Sequence, residues 1–157
     1  MKLWQKVSLI CGAILVAVVA VSSALLLGMA RERLLTSAYE QAESRQRDLA
    51  VSFKQAMEQH GAEEDSEAVK RALLRYCFSL FADSDAVLIA DGETLYSQLS
   101  FAPEDYLPMK EDDSAQRYAG EINGKEFFLV GSRAQIKTLP DLKCQVCLAE
   151  DLSPIYD

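Results

Sequence analysis

Histidine occurs once in this chain of 157 residues, as His60, and glycine, proline and tryptophan are scarce at seven, four and one. Those shortages exclude several kinds of site. There is no His-Glu-x-x-His pair for zinc, no glycine-rich phosphate loop, no Gly-x-Ser-x-Gly turn, and no second histidine to act as base beside a nucleophile. The four cysteines, Cys11, Cys77, Cys144 and Cys147, do not make a disulfide framework. Cys144 and Cys147 have C-x-x-C spacing, but they lie in an alternating stretch that reads as a strand, where residues three apart face opposite sides. Zinc would need a second such pair. Buried free thiols are therefore expected, with no metal and no cofactor. Asp83 and Asp85 flank a strand start, where solvation or capping accounts for them.

Charge is missing altogether from Val7 to Ala30, a run of 24 residues. As a helix it would extend about 36 Å, against a bilayer hydrocarbon core of about 30 Å. A secretory signal is the competing reading, because Lys2 and Lys6 precede the run and Ser22-Ser23-Ala24 resembles a cleavage site. Signal cores extend only about 7–15 residues, whereas Leu25-Leu26-Leu27 continue this one, so an uncleaved membrane anchor is expected. Lys2 and Lys6 before it place the N-terminus in the cytoplasm, and Trp4 suits the interface. Residues 31–157 are then extracytoplasmic. They carry 14 Lys and Arg against 24 Asp and Glu, a net charge of about −10 that disfavours nucleic acid as a partner.

Neither glycine nor proline interrupts Arg31 to His60. Within it Leu35, Tyr39, Ala42, Gln46, Leu49, Phe53, Ala56 and His60 recur at spacings of four and three, a seam that must be covered. Two coverings are open, singly or each on a different half of the helix: the chain's own downstream domain, and the same helix of a second copy, which would make a homodimer through Leu35, Tyr39, Ala42, Gln46, Leu49, Phe53 and Ala56. His60 reads as a packing residue at the helix end. Glu43 and Arg47 are spaced to support each other across one turn.

A second helix is expected from Ser66 to about Ala82, with Val69, Leu73, Tyr76 or Cys77, and Leu80 on one face. The period then changes to two. Asp91-Gly92 and Asn123-Gly124 each separate a pair of extended runs and specify two hairpins with type I′ turns. The runs are Ala86–Ala90, Glu93–Ser97, Arg117–Ile122 and Lys125–Val130, and a fifth from Lys143 to Glu150 follows a turn at Pro140-Asp141. The class is α+β, a five-stranded antiparallel sheet with helices on one face. The parts are a cytoplasmic N-terminus at 1–6, a membrane helix at 7–30, a stalk helix at 31–60, a sheet domain at 61–150, and at 151–157 the start of a further helix, with Ser153 as N-cap and Pro154 in the first turn.

In this order the parts resemble the input half of a bacterial membrane sensor histidine kinase with a Cache-like, PAS-like extracytoplasmic domain. The resemblance rests on "MKLWQKVSLI" leading into the anchor, the unbroken helix to His60, the hairpin followed by a three-stranded meander, and the closing "LAEDLSPIYD". It implies that residues 151–157 lead to a second membrane span in a longer protein, and that kinase activity lies outside these residues. It further implies a ligand pocket between one face of the sheet and the segment Leu99–Ala115, to which Tyr96, Tyr106, Arg117, Tyr118 and Arg133 would contribute. The implied partners are a second copy, the membrane, and a small ligand or envelope component. A chemoreceptor input half shares this outer architecture. A pilin-like envelope protein is the structural alternative, although it would carry a Glu inside the apolar run.

Overall fold

The computed structural model describes residues 3–60, 66–108 and 114–156. The chain divides into two units, Met1–Ser37 and Ala38–Asp157. One helix, α1 (Leu3–Gln59), supplies all of the described part of the first and opens the second. In the first unit the apolar side chains are bare: Trp4, Leu15, Leu26 and Leu27 are all exposed. This helix is long and apolar enough to cross a membrane, and its most apolar window buries nothing within the chain. A helix apolar all round belongs in a core or a bilayer, and here no core covers it.

The second unit is α+β. After α1 come α2 (Glu67–Ser79), β1 (Ala86–Ala90), β2 (Glu93–Tyr96), β3 (Gln116–Ile122), β4 (Lys125–Ala134), β5 (Cys144–Asp151) and a short α3 (Ser153–Tyr156). The strands form one antiparallel sheet in the order β2-β1-β5-β4-β3. Both hairpins turn as their sequences specify: Asp91 and Gly92 have φ of 49° and 80°, Asn123 and Gly124 of 52° and 79°. Positive φ at both central positions matches the right-handed twist of the flanking strands. β4 extends four residues beyond the expected Val130, because it pairs with β5 as far as Ala134 and Cys144.

Both faces of the sheet are covered. On one, Leu88, Ala90, Ala134, Cys144 and Val146 pack with Leu49, Phe53, Ala56 and Met57 of α1 and Leu74, Cys77 and Phe78 of α2. The seam of α1 is thus buried against the chain's own sheet at Ala42, Gln46, Leu49, Phe53 and Ala56, and Tyr39 stacks on Phe128 with ring centroids 4.4 Å apart. Of the two coverings open from the sequence, the downstream domain takes these positions. A second copy pairing through them would have to uncover Phe53, which has no exposed surface. Gln46, the polar break in the seam, is only 3% exposed and donates to Ser132 Oγ at 2.7 Å and to the Val146 carbonyl at 2.9 Å. Its amide meets a hydroxyl and a carbonyl that burial would otherwise leave poorly satisfied.

Four local expectations are corrected. The buried side of α2 is Leu74, Cys77 and Phe78: of the expected row Cys77 is buried and Leu73 partly so, while Val69, Tyr76 and Leu80 are exposed. The cause is Phe78, which packs edge-on to Phe53 at 5.4 Å and to Tyr96 at 5.3 Å and so sets the helix's rotation. The helix also ends at Ser79, three residues early, as Phe81 and Ala82 both bond back to the Phe78 carbonyl. At α3 it is Asp151, not Ser153, that caps: Asp151 Oδ1 accepts from the Ser153 N–H at 2.9 Å, and Ser153 Oγ is buried without a partner. Finally, His60 is exposed and its ring bonds the Ala56 carbonyl at 2.9 Å, so it finishes the helix by hydrogen bonding instead of packing.

Candidate functional site

The second face of the sheet is covered by the segment between β2 and β3, of which residues 109–113, including the acidic run Glu111-Asp112-Asp113, lie outside the described residues. A single 3₁₀ turn, Pro103–Asp105, bends this segment so that Leu107 is buried against Val87, Ile89, Leu129, Cys147 and Ala149, with Leu99, Phe101 and Tyr106 around it. Aromatic rings fill the layer. Phe101 lies 5.0 Å from Phe127 and 6.0 Å from Tyr106, and Tyr106 lies 5.0 Å from Tyr118. A methyl group added at Gly131 would stand 2.7 Å from Cys147 Sγ and 3.2 Å from Leu107 Cδ1, which measures how closely the segment sits.

Of the five residues implied as ligand contacts, this face brings together Tyr106 and Tyr118 only. Tyr96 is on the helix side, against Phe78. Arg117, next to Tyr118 in a strand, necessarily faces the other way, and its Nε meets Glu43 Oε1 of α1 at 2.7 Å. Arg133, near the end of β4 and paired in register with Gln145, borders a groove beside α1.

A cluster unremarked in the sequence lies where β1 begins and β5 ends. Arg45 of α1 reaches Asp85 Oδ2 at 2.9 Å, Glu150 Oε2 at 3.2 Å and Asp83 Oδ2 at 3.4 Å. One cation thus serves three carboxylates, and beside it opens a cleft of about 550 Å³ bordered also by Leu99, Phe127 and Asp151. Burial pushes the Glu150 carboxyl above its usual pKa; Arg45 opposes that, while Asp85 and Asp151 add to it. Asp151 is held below the usual carboxylate range, first by its hydrogen bond with Ser153 and then by Lys125. Asp85 Oδ1 is buried without a hydrogen-bond partner. The cluster ties α1 to the last strand and the first at once. Sequence reasoning missed it because residues 45, 83, 85 and 150 meet only in the folded sheet; the one available signal was an arginine adjacent to a buried seam position.

Nothing in these groups is poised for covalent chemistry. Cys144 and Cys147 fall on opposite faces of the sheet, as strand alternation requires, and all four cysteines are free. Burial pushes the Cys144 and Cys147 thiols up to about 12 and raises Cys77 as well, so these three remain protonated at neutral pH. Among the described residues no group of three His, Cys, Asp or Glu is placed to hold a metal ion. Compared with known proteins, the chain matches no family model, no curated protein and no solved structure.

Proposed function

We propose that this chain is the signal-sensing input region of a membrane sensor histidine kinase, with the N-terminus cytoplasmic, residues 7–30 in the bilayer and the sheet domain extracytoplasmic. The observation that carries the reading is that α1 supplies both the bare apolar stretch and the buried seam of the sheet domain. A sensing domain acts across a membrane by changing the arrangement of the helix that leads into it, and a few kcal/mol of differential binding suffices to shift such an equilibrium. Arg45 is the natural coupling point, because it links that helix to the ends of β1 and β5. In this reading two copies associate through the anchor and the residues just after it, since the seam from Tyr39 onward is taken by the sheet, and the domain answers a small ligand or an envelope component.

The test joins residues 1–157 to the second span and cytoplasmic kinase of a sensor with a transcriptional reporter. Arg45→Ala should move basal output at least about threefold, equivalent to about 0.65 kcal/mol in the two-state balance, while Arg75→Ala on the exposed side of α2 should not. Unchanged output in Arg45→Ala and also in Phe53→Ala would sink the sensor reading.

A further inference from the structure

The joint between α1 and the ends of β1 and β5 carries more negative charge than it neutralises. Arg45 is the cation at its centre, with Asp85 and Asp83 both drawn to one guanidinium nitrogen, Nη2, and Glu150 to the other, Nη1. Asp48 of α1 shares a second cleft with Arg45 and Asp83. From β4 come Lys125, engaged by Asp151 at 3.5 Å, and Glu126, close to Tyr39, whose ring stacks on Phe128, the register partner of Glu150. Carboxylates thus outnumber cations around Glu150, and the place is partly buried: the side chains of Asp85 and Glu150 are only 23% and 33% exposed. Like charges so confined oppose one another's ionisation, and a proton taken up by one of them relieves the rest. Hydrogen bonding points the same way. Ionised carboxylates only accept, and Asp85 Oδ1 is buried without a donor. A protonated Glu150 adds a donor where the cluster has an acceptor to spare.

We propose that this cluster is an acid-tightened strap: on acidification from neutral pH it takes up one proton from solvent, on Glu150, and thereby holds α1 more firmly to the ends of β1 and β5. The proton removes one of the charges that repel Asp85 and leaves Arg45 to pair with Asp85 and Asp83. Glu150 is the member that takes it, because burial disfavours its charged form and Asp85 and Asp151 add to that against the pull of Arg45. Solvent reaches the joint through the cleft of about 550 Å³. The sign follows from linkage. A carboxyl whose pKa is higher in the folded chain adds stability that is fully present below the ordinary value of 4.5 and is lost as pH rises through the folded value. The strap is a property of the folded sheet domain and is independent of any signalling role.

The test uses the full chain in uncharged detergent micelles and follows two quantities between pH 7 and 4.5: the Glu150 carboxyl carbon by NMR, and amide hydrogen exchange corrected for its intrinsic pH dependence. Glu150 should titrate with a midpoint above 4.5. Asp85→Asn should lower that midpoint and Arg45→Gln raise it, while Asp141→Asn, in the exposed turn before β5, leaves it in place. Acidification should raise the protection of α1 amides between Ala42 and Met57 at least about twofold more in wild type than in Glu150→Gln, and the protection of β3 by less. A Glu150 midpoint at or below 4.5, a midpoint indifferent to Asp85→Asn, or α1 protection that rises no more than in Glu150→Gln or no more than that of β3, would each overturn the proposal. The wild-type titration needs no substitution, so it decides even where a variant fails to fold.

Discussion

Leu26 and Phe53 belong to the same helix, yet Leu26 leaves 67% of its surface bare and Phe53 leaves none. The backbone geometry is shared; the side-chain pattern is not. Around Leu26 every direction is apolar, whereas around Phe53 a stripe of Ala42, Leu49, Ala56 and Met57 alternates with Arg45, Arg47, Asp48 and Lys54. A helix apolar on all sides calls for surroundings apolar on all sides, and a striped one calls for a core on one side and water on the other. The second stretch builds its core from the chain's own sheet. The first is long and apolar enough to cross a membrane.

Truncating a side chain in each stretch gives the largest contrast. With the chain in uncharged detergent micelles, Phe53→Ala should cost the sheet domain about 3–5 kcal/mol through lost burial and a residual cavity, whereas Leu26→Ala should stay within about 0.5 kcal/mol. Chemical denaturation followed by Trp-independent circular dichroism measures both, and a comparable loss for Leu26→Ala would mean that the first stretch is packed against protein. Glycine sharpens the contrast next. Gly28 lies in the bare stretch with open space around it, while Gly124 sits at φ +79° in the second hairpin. Gly124→Val should therefore cost about 1–3 kcal/mol of unfolding free energy and Gly28→Ala should not destabilise. Equal melting temperatures for Gly124→Val and wild type would contradict the turn geometry. Replacing the polar break in the stripe is expected to matter less: Gln46→Leu leaves the Val146 carbonyl without its side-chain donor, at a cost of about 1–2 kcal/mol, measured by the same unfolding curves.

The smallest effect expected is one of pH. Because Glu150 has its pKa raised, the folded chain binds that proton more tightly than the unfolded chain, and stability from this group grows as pH falls through the raised value toward the usual 4.5. Asp151 works in the opposite sense, since its lowered pKa gives stability that is lost only as pH falls through its folded value, below the usual 3.8. Between pH 7 and 4.5 Glu150 therefore acts without Asp151. Wild type should gain stability relative to Glu150→Gln as the buffer is acidified over that interval, and a relative loss would show that Arg45, not burial, dominates the carboxylate.

What the sequence made legible was local. Asp91-Gly92 and Asn123-Gly124 specified their turns because positive φ is a property of the residues themselves. The uncharged run and the seam were legible as periodicities, but not which surface covers the seam, because that depends on where the sheet folds back. On α2 the expected row of Val69, Leu73, Tyr76 or Cys77, and Leu80 is buried at Cys77 and in part at Leu73, and only the positions of Phe53 and Tyr96 turn Leu74 and Phe78 inward beside them. The separation of Arg117 from Tyr118 followed from strand alternation alone, and nearness in sequence was a poor guide to a shared site. The Arg45 cluster is long-range by nature and left almost no trace.

The proposed topology has residues 7–30 crossing a membrane and the sheet domain on the far side from the N-terminus. The measurement is labelling by a membrane-impermeant maleimide of whole cells expressing Lys2→Cys or Glu121→Cys. Background is low, because Cys77, Cys144 and Cys147 are buried and Cys11 lies within the apolar stretch. Glu121→Cys, on an exposed position of β3, should react in intact cells, and Lys2→Cys only after lysis. Reaction of Lys2→Cys in intact cells, or of Glu121→Cys only in lysed ones, would contradict the account.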